Sequence, residues 1–212
     1  MKKLLLIAGI AAFAAACNNG STADQASTTD KQEAAAAAGA SYGIDTLTSQ
    51  VGWTGSKPIG SHNGIFKISN GSFNVENGEL KAGNFVIDVH NLEDLDLKAG
   101  EGKEKLEGHL KSADFLDTEK FPTAKFEITS VSPLADSTGT HQISGNLTLK
   151  DSTKNVSFPA KLEIADNAVK ASAKFSIDRT QWGLFYGNDK SLGDKFIRPE
   201  VEIALNINAS KL

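Results

Sequence analysis

The 212-residue sequence has only one cysteine, Cys17. A lone cysteine excludes an intramolecular disulfide and any metal or iron–sulfur site that needs several cysteines. Basic residues are also few: 22 Lys and Arg stand against 26 Asp and Glu, for a formal net charge of −4. Beyond the extreme N-terminus there is no dense basic cluster, and nucleic-acid binding needs a concentrated basic surface. Nucleic acid is therefore not an expected partner.

Motifs for catalysis are missing as well. The sequence has no G-x-S-x-G segment, which would mark a nucleophile on a strand-to-helix turn. Its histidines, His62, His90, His109 and His141, lie far apart, without H-E-x-x-H or another short ligand spacing. The carboxylates are scattered, as is usual for a solvated surface. We therefore predict a protein that is not an enzyme and has no cofactor and no metal site.

The first 17 residues have the character of an export signal. Lys2 and Lys3 precede an apolar run over residues 4–16, which is too short for an ordinary transmembrane helix. The run ends in small residues followed by Cys17, an arrangement that resembles a bacterial lipoprotein signal, in which this cysteine is acylated. The alternative is an ordinary secretory signal followed by a chance cysteine. We expect a lipid-anchored envelope protein that faces the periplasm, at the outer membrane.

Residues 18–40 are rich in Ser, Thr, Ala, Asp, Gln and Asn, with no aromatic residue and no periodic apolar face. This composition is typical of a flexible segment that packs against nothing. We expect it to act as a tether between the lipid anchor and a folded domain over residues 41–212.

From residue 41 onward, apolar and polar residues alternate over many short segments. This period of two indicates strands with one apolar face, and about eight of them must close into a barrel or face each other as a sandwich. We expect an all-β, antiparallel, lipocalin-like barrel. Two Asn-Gly pairs, at residues 70–71 and 77–78, predict hairpin turns.

One connection, over residues 95–115, breaks the β pattern. Leu106 and Leu110 are four residues apart among charged neighbours, which predicts a short amphipathic helix over residues 102–112. We expect it to cover one barrel end, either as part of a functional opening or as a plug that seals the core.

Four ordered blocks resemble the YceI-like family. Residues 109–117, HLKSADFLD, are similar to its HL-x-S-x-DFFD signature, and residues 121–126, FPTAKF, to YP-x-I-x-F. Residues 145–151, GNLTLKD, resemble G-x-LT-x-x-G, and residues 175–183, FSIDRTQWG, resemble F-x-I-x-R-x-x-(F/W)G. Four residues depart from the usual ones: Leu116, Phe121, Ala124 and Asp151. The resemblance implies a lipocalin-shaped periplasmic or secreted protein that binds polyisoprenoids or other long-chain lipids and is often a homodimer.

A long-chain lipid needs a dry, elongated cavity with polar contacts only at its head group. The inward-facing apolar residues are therefore the candidate cavity lining: Phe66, Phe73, Phe85, Ile87, Phe126, Ile128, Leu147, Phe158, Phe175 and Ile177. The alternative for each is plain core packing, because the sequence does not give the interior diameter.

Three further residues are candidates for the cavity mouth or the head-group site. His109 either donates to a head group or ties the helix to a neighbouring strand. Arg179 either binds a phosphate, which guanidinium groups suit, or pairs with Asp114 or Asp178. Trp182 either guards the mouth or closes a barrel end. The function that we expect is non-enzymatic binding, carriage or sequestration of a long-chain lipid; the alternative is an envelope lipoprotein with a packed barrel, no ligand and a structural or interaction role.

Overall fold

The computed structural model describes residues 23–134 and 139–212, so the expected signal segment and Cys17 lie outside the described part of the chain. Ten strands and one α-helix follow one another along it: β1 Ser27–Asp30, β2 Ala40–Ile44, β3 Gln50–Ser56, β4 Ser61–Glu76, β5 Glu79–Asp94, α1 Lys103–Lys111, β6 Thr123–Pro133, β7 His141–Leu149, β8 Ser152–Ala165, β9 Ala168–Asp178 and β10 Glu200–Lys211. Two 3-10 helices, Arg179–Trp182 and Lys190–Lys195, lie between β9 and β10.

The strands close into an antiparallel barrel with eight positions around its wall. Seven positions are single strands, β4 to β10 in sequential order. The eighth is shared by β2 and β3, which both pair with β4 on one side and with β10 on the other. The prediction of an all-β barrel with a short helix in the 95–115 connection is confirmed, because the apolar faces of all these strands point into one shared lumen.

The two Asn-Gly pairs have different roles. Asn77 and Gly78 have φ values of 53° and 77° and connect β4 to β5 through a two-residue turn. The turn predicted at residues 70–71 is wrong, because β4 runs through this point and shifts register there against β5. Gly71 instead permits close approach: a Cβ atom there would lie 2.7 Å from the Cβ of Phe85.

The N-terminal strap, residues 23–38, lies along the barrel wall. β8 and β9 pair only near their hairpin and then separate, and β1 fills the gap by pairing with β8. The residues before β1 bond to β9, where the amide of Ala26 donates to the carbonyl oxygen of Ser176 at 2.8 Å. The expectation of a free tether is therefore wrong for residues 23–40. Ala26 is buried in the core, and the strand edges of β8 and β9 need these backbone partners.

A row of neighbouring phenylalanine rings, which we term the aromatic floor, crosses the lumen and divides it. The ring centroids of Phe85 and Phe126 are 5.2 Å apart, those of Phe126 and Phe158 are 5.9 Å apart, and those of Phe158 and Phe175 are 3.9 Å apart. On one side of this aromatic floor the lumen is filled by side chains such as Phe73, which is 3% exposed. The other side is open, so the barrel is half packed and half hollow.

Helix α1 lies at the hollow end. Its Leu106 and Leu110 face the lumen, as their spacing of four residues predicts. Within residues 23–134 and 139–212, no helix is long and apolar enough to cross a bilayer.

Candidate functional site

The hollow half of the barrel holds a cavity of about 700 Å³. Pockets of roughly 300–1,000 Å³ are typical of sites that enclose a small-molecule ligand. Most of its wall is apolar, formed by Val51, Trp53, Phe66, Phe85, Ile87, Val89, Phe126, Leu147, Leu149, Val156, Phe158, Phe175, Ile177, Val201, Ile203 and Leu205. Several of these side chains, Leu147 and Ile203 among them, stay partly exposed because they face the cavity.

The structure separates the ten residues predicted for the cavity lining into two groups. Eight lie on the cavity wall: Phe66, Phe85, Ile87, Phe126, Leu147, Phe158, Phe175 and Ile177. Phe73 and Ile128 lie below the aromatic floor, where only a void of about 30 Å³ remains. They are core residues, since alternation identifies the inward face of a strand but not the depth along the barrel axis.

Three chain segments surround the open end of the cavity, which we term the mouth. They are the β3–β4 hairpin at residues 57–60, helix α1 with the following Phe115, and the connection over residues 184–197. Ile59 and Tyr186 line the cavity and are 68% and 44% exposed. The mouth therefore presents apolar side chains to its surroundings.

Arg179 lies on the cavity wall and is 4% exposed. Its guanidinium donates to four backbone carbonyl oxygens, those of Leu184, Tyr186, Ile197 and Arg198. The expected ion pair with Asp114 or Asp178 does not form, since Asp178 instead caps the 3-10 helix by accepting from the amide of Thr180. Arg179 thus holds the connection that forms one side of the mouth.

The charge of Arg179 is left without a carboxylate in contact. Burial lowers the pKa of Arg179 from its ordinary value, and the nearby charges of Asp178 and Glu200 oppose this shift. Among the described residues, no Asp or Glu oxygen lies within ion-pairing distance of the guanidinium. The four bonds use four of its five N–H donors, so one donor remains.

His109 and Trp182 have different surroundings. His109 lines the cavity, and its Nε2 atom lies 3.1 Å from Oδ2 of Asp114. Its ring meets those of Phe115 and Tyr186 edge to face, so it joins α1 to the mouth and not to a neighbouring strand. Trp182 is 2% exposed and donates from Nε1 to the carbonyl oxygen of Leu147 at 2.9 Å. It is outside the cavity lining and closes the core.

The charged side chains that line the described part of the cavity are all basic. Lys57, Arg179 and Lys195 belong to the lining, which contains no Asp or Glu in the part of the chain that the structure describes. The chain as a whole carries a net charge of −4, so the cavity environment is opposite in sign to the protein. The sequence did not predict this segregation, because Lys57 and Lys195 are 138 residues apart and only the fold brings them to the mouth.

The structure also assembles a group that the sequence analysis missed. His62 on β4, Asp94 at the end of β5 and Asp96 just beyond it offer one nitrogen and two oxygen atoms within 4.8 Å of one another. Their spacing of 32 residues matches no ligand motif, but the register that pairs Gly64 with Asp94 places them together. Burial and the neighbouring Asp96 raise the pKa of Asp94.

Comparison with known proteins gives a family-model match for most of the described chain. The family model described as "YceI-like domain" matches residues 42–209. Among curated proteins, a UPF0312 protein of Pseudomonas putida is 35% identical over 97 residues, which are 46% of this chain and 47% of the relative. A UPF0312 protein of Pseudomonas aeruginosa is 52% identical over 54 residues, 26% of this chain and 27% of the relative. These alignments span about half or less of the curated relatives' length.

Solved structures share the fold at low identity. BcnA of Burkholderia cenocepacia superimposes with a TM-score of 0.63 at 18% identity, covering 78% of this chain and 98% of the other. A polyisoprenoid binding domain from Saccharophagus degradans, implicated in plant cell wall breakdown, has a TM-score of 0.61 at 13% identity, with coverages of 81% and 98%.

Proposed function

We propose a function from the premise that this chain belongs to the YceI-like domain family, whose model spans residues 42–209. The protein binds one long-chain lipid, a polyisoprenoid or a chain of similar character, with the apolar tail in the hollow half of the barrel. It acts as a carrier or a sequestering protein and not as an enzyme. The polyisoprenoid binding domain from Saccharophagus degradans, which shares the fold, supports this ligand class.

The observation that carries the proposal is the cavity of about 700 Å³ with its apolar wall. Each methylene group that leaves water for such a wall gains roughly 0.8 kcal/mol, so a long tail supplies most of the binding free energy. A barrel whose only role was structural would gain stability by filling this space with side chains. Below the aromatic floor, side chains of the same sequence fill the lumen in this way.

The basic lining indicates the kind of head group. Lys57, Arg179 and Lys195 belong to the lining of a cavity that has no carboxylate in its described lining, so an anionic head group inside the mouth would meet three basic side chains. The remaining N–H donor of Arg179 suits a phosphate or carboxylate oxygen. We therefore propose an acidic amphiphile, such as a polyprenyl phosphate or a long-chain fatty acid.

The sequence of residues 1–17 supports an anchor. We propose that Cys17 is lipidated and that the barrel is held at the envelope membrane, facing the periplasm. Transfer of a membrane lipid into the barrel would then occur beside the membrane.

The test compares the lipid content of two leucine variants of the full chain. Leu149→Trp places an indole in the cavity, whereas Leu47→Trp makes the same change at a side chain that is 95% exposed and outside the cavity lining. Each protein is purified from bacterial cells under mild conditions and its bound lipid is extracted and identified by mass spectrometry. We expect the original chain and Leu47→Trp to retain one acidic lipid per protein, and Leu149→Trp to lose most of it.

A competition assay then tests the head group. A long-chain fatty acid should displace a bound fluorescent lipid more effectively than the alcohol of the same length, and Lys57→Gln with Lys195→Gln should reduce the difference. Equal displacement by acid and alcohol contradicts the acidic head group. Absence of extractable lipid and of displaceable probe in the original chain contradicts lipid binding itself.

A further inference from the structure

We propose that His62, Asp94 and Asp96 form a binding site for a divalent transition-metal cation, of which zinc fits the donor set best. His62 also borders the cavity, but the cation site rests on none of the observations that support lipid binding. The three residues come from the start of β4, the end of β5 and the loop that leads to α1, so they meet only in the folded barrel.

The carboxylate of Asp94 is buried, and only one of its two oxygen atoms is hydrogen-bonded. Its side chain is 0% exposed. Oδ1 accepts from the amide of Leu97 at 2.8 Å, but Oδ2 is buried and has no hydrogen-bond partner. A buried carboxylate oxygen without a donor is unfavourable, and a bound cation would supply the missing interaction.

The positively charged residue near the cluster, Lys103, pairs with carboxylates outside the cluster. Lys103 on α1 pairs with Glu93 at 3.4 Å and with Glu107 at 3.9 Å. Glu107 in turn accepts from the backbone amide of Asp94 at 2.9 Å and places a further carboxylate close to the cluster. The local charge is thus negative, which favours a cation.

The other two donors are held in place by the backbone and by each other. Oδ1 of Asp96 accepts from the amide of Asn63 at 2.8 Å, and Oδ2 lies 2.9 Å from Nδ1 of His62. The amide of Asn63 is an outer-shell partner of the kind that orients a metal-binding carboxylate. A bound cation would take the place of the proton between Asp96 and His62, so uptake would release a proton. In a tetrahedral zinc site with bonds of about 2.0–2.2 Å, two ligand atoms lie roughly 3.3–3.6 Å apart. The three donor atoms already lie within 4.8 Å of one another, so side-chain rotations of about an ångström would bring them to that spacing.

The donor types distinguish between metals. One imidazole nitrogen with two carboxylate oxygens suits zinc, whereas calcium prefers six to eight oxygen ligands. Three protein ligands leave one tetrahedral position for water. A cation here would join β4, β5 and the root of α1, because the amide of Asp94 already bonds to Glu107 of that helix.

The experiment titrates zinc chloride into the full chain after removal of metal with a chelator. Isothermal titration should show one zinc ion per chain, and thermal unfolding should show a melting temperature that rises with zinc and returns after chelation. Calcium chloride should produce neither effect. Asp94→Asn should lower the zinc affinity by more than the roughly 10–100-fold that follows loss of an outer-shell partner.

The matched control is Asp114→Asn. Asp114 also pairs with a histidine, since its Oδ2 lies 3.1 Å from Nε2 of His109, but this pair is exposed and has no third ligand among the described residues. The control should keep the zinc affinity of the original chain. A chain that takes up no zinc, or whose zinc affinity is unchanged in Asp94→Asn, overturns the proposal. If Asp94→Asn fails to fold, His62→Gln replaces it, with the same loss expected and the same unchanged affinity counting against the site.

Discussion

The side chain of Asn146 and the backbone of Gln32 hold each other through two hydrogen bonds, although 114 residues separate them. The amide of Gln32 donates to Oδ1 of Asn146 at 3.0 Å, and Nδ2 of Asn146 donates to the carbonyl oxygen of Gln32 at 2.8 Å. Asn155 adds a third bond by donating to Oδ1 at 3.1 Å. The side chain of Asn146 therefore bonds the N-terminal strap to β7 with one donor and one acceptor, as the backbone of a paired strand would.

Replacement of Asn146 should loosen the strap. Asn146→Ala removes both bonds to Gln32 and the bond from the buried Asn155, so we expect the free energy of unfolding to fall by about 1–3 kcal/mol. Asn206→Ala is the control, because Asn206 lies on β10 with an exposed side chain. Urea denaturation measures both, and protease cleavage within residues 23–38 should increase only in Asn146→Ala. Equal stability of the two variants would show that the strap adds little to the barrel.

The two halves of the lumen should respond differently to the same substitution. Ile128 lies in the packed half and is 3% exposed, so Ile128→Ala should cost about 2–5 kcal/mol of folding stability. Ile203 faces the cavity and is only partly buried, so Ile203→Ala should cost distinctly less. Lipid retention should show the reverse order, with the larger loss in Ile203→Ala. Thermal denaturation and extracted lipid report the two effects, and identical behaviour would contradict a divided lumen.

Arg179 should act mainly through the connection that it holds. Arg179→Lys keeps the charge but cannot reach four carbonyl oxygens at once, so we expect a loss of at least about 2 kcal/mol in stability. Proteolysis should then cut within residues 184–197. Arg198→Lys makes the same change at a half-buried neighbour and serves as the control. Unaltered proteolysis in Arg179→Lys would show that its carbonyl bonds do not restrain the mouth.

The proposed anchor makes a prediction about location. Cys17→Ser removes the only thiol of the chain, so the protein should move from the membrane fraction to the soluble envelope fraction of expressing bacteria. Metabolic labelling with a fatty-acid analogue should mark the original chain and not the variant. A protein that stays membrane-bound without the cysteine would need a different means of attachment.

The barrel could be predicted from the sequence because alternation is a local property. In β6, Ala124, Phe126 and Ile128 are buried between more exposed neighbours, as the period of two requires. Turn chemistry was less decisive: Asn77 and Gly78 form the expected turn, whereas Gly71 lies inside a long strand, where it permits close approach to Phe85. An Asn-Gly pair indicates a hairpin only where the flanking strands pair with each other, and that pairing is a property of the whole sheet.

The site could be predicted only in part because its polar residues depend on distant partners. The structure places Arg179 on the cavity wall, but its bonds to backbone carbonyls have no sequence signal, since any residue supplies a carbonyl. The strap was missed for a related reason. Its contacts use backbone groups and the small side chain of Ala26, so its composition resembled that of a free segment.

The insertion of the strap between β8 and β9 also limits the distance between the barrel and a membrane that holds a lipidated Cys17. The carbonyl oxygen of Asp24 accepts from the amide of Ser176 at 2.9 Å, and the next residue, Ile177, lines the cavity. Only residues 18–22 separate Cys17 from the strap, and an extended chain covers at most about 3.3–3.6 Å per residue. With an acyl group on Cys17, residue 23 at the start of the strap would lie within about 20 Å of the leaflet that holds the acyl group. A guest molecule could then leave the bilayer and enter the protein without dissolving in the aqueous compartment between them.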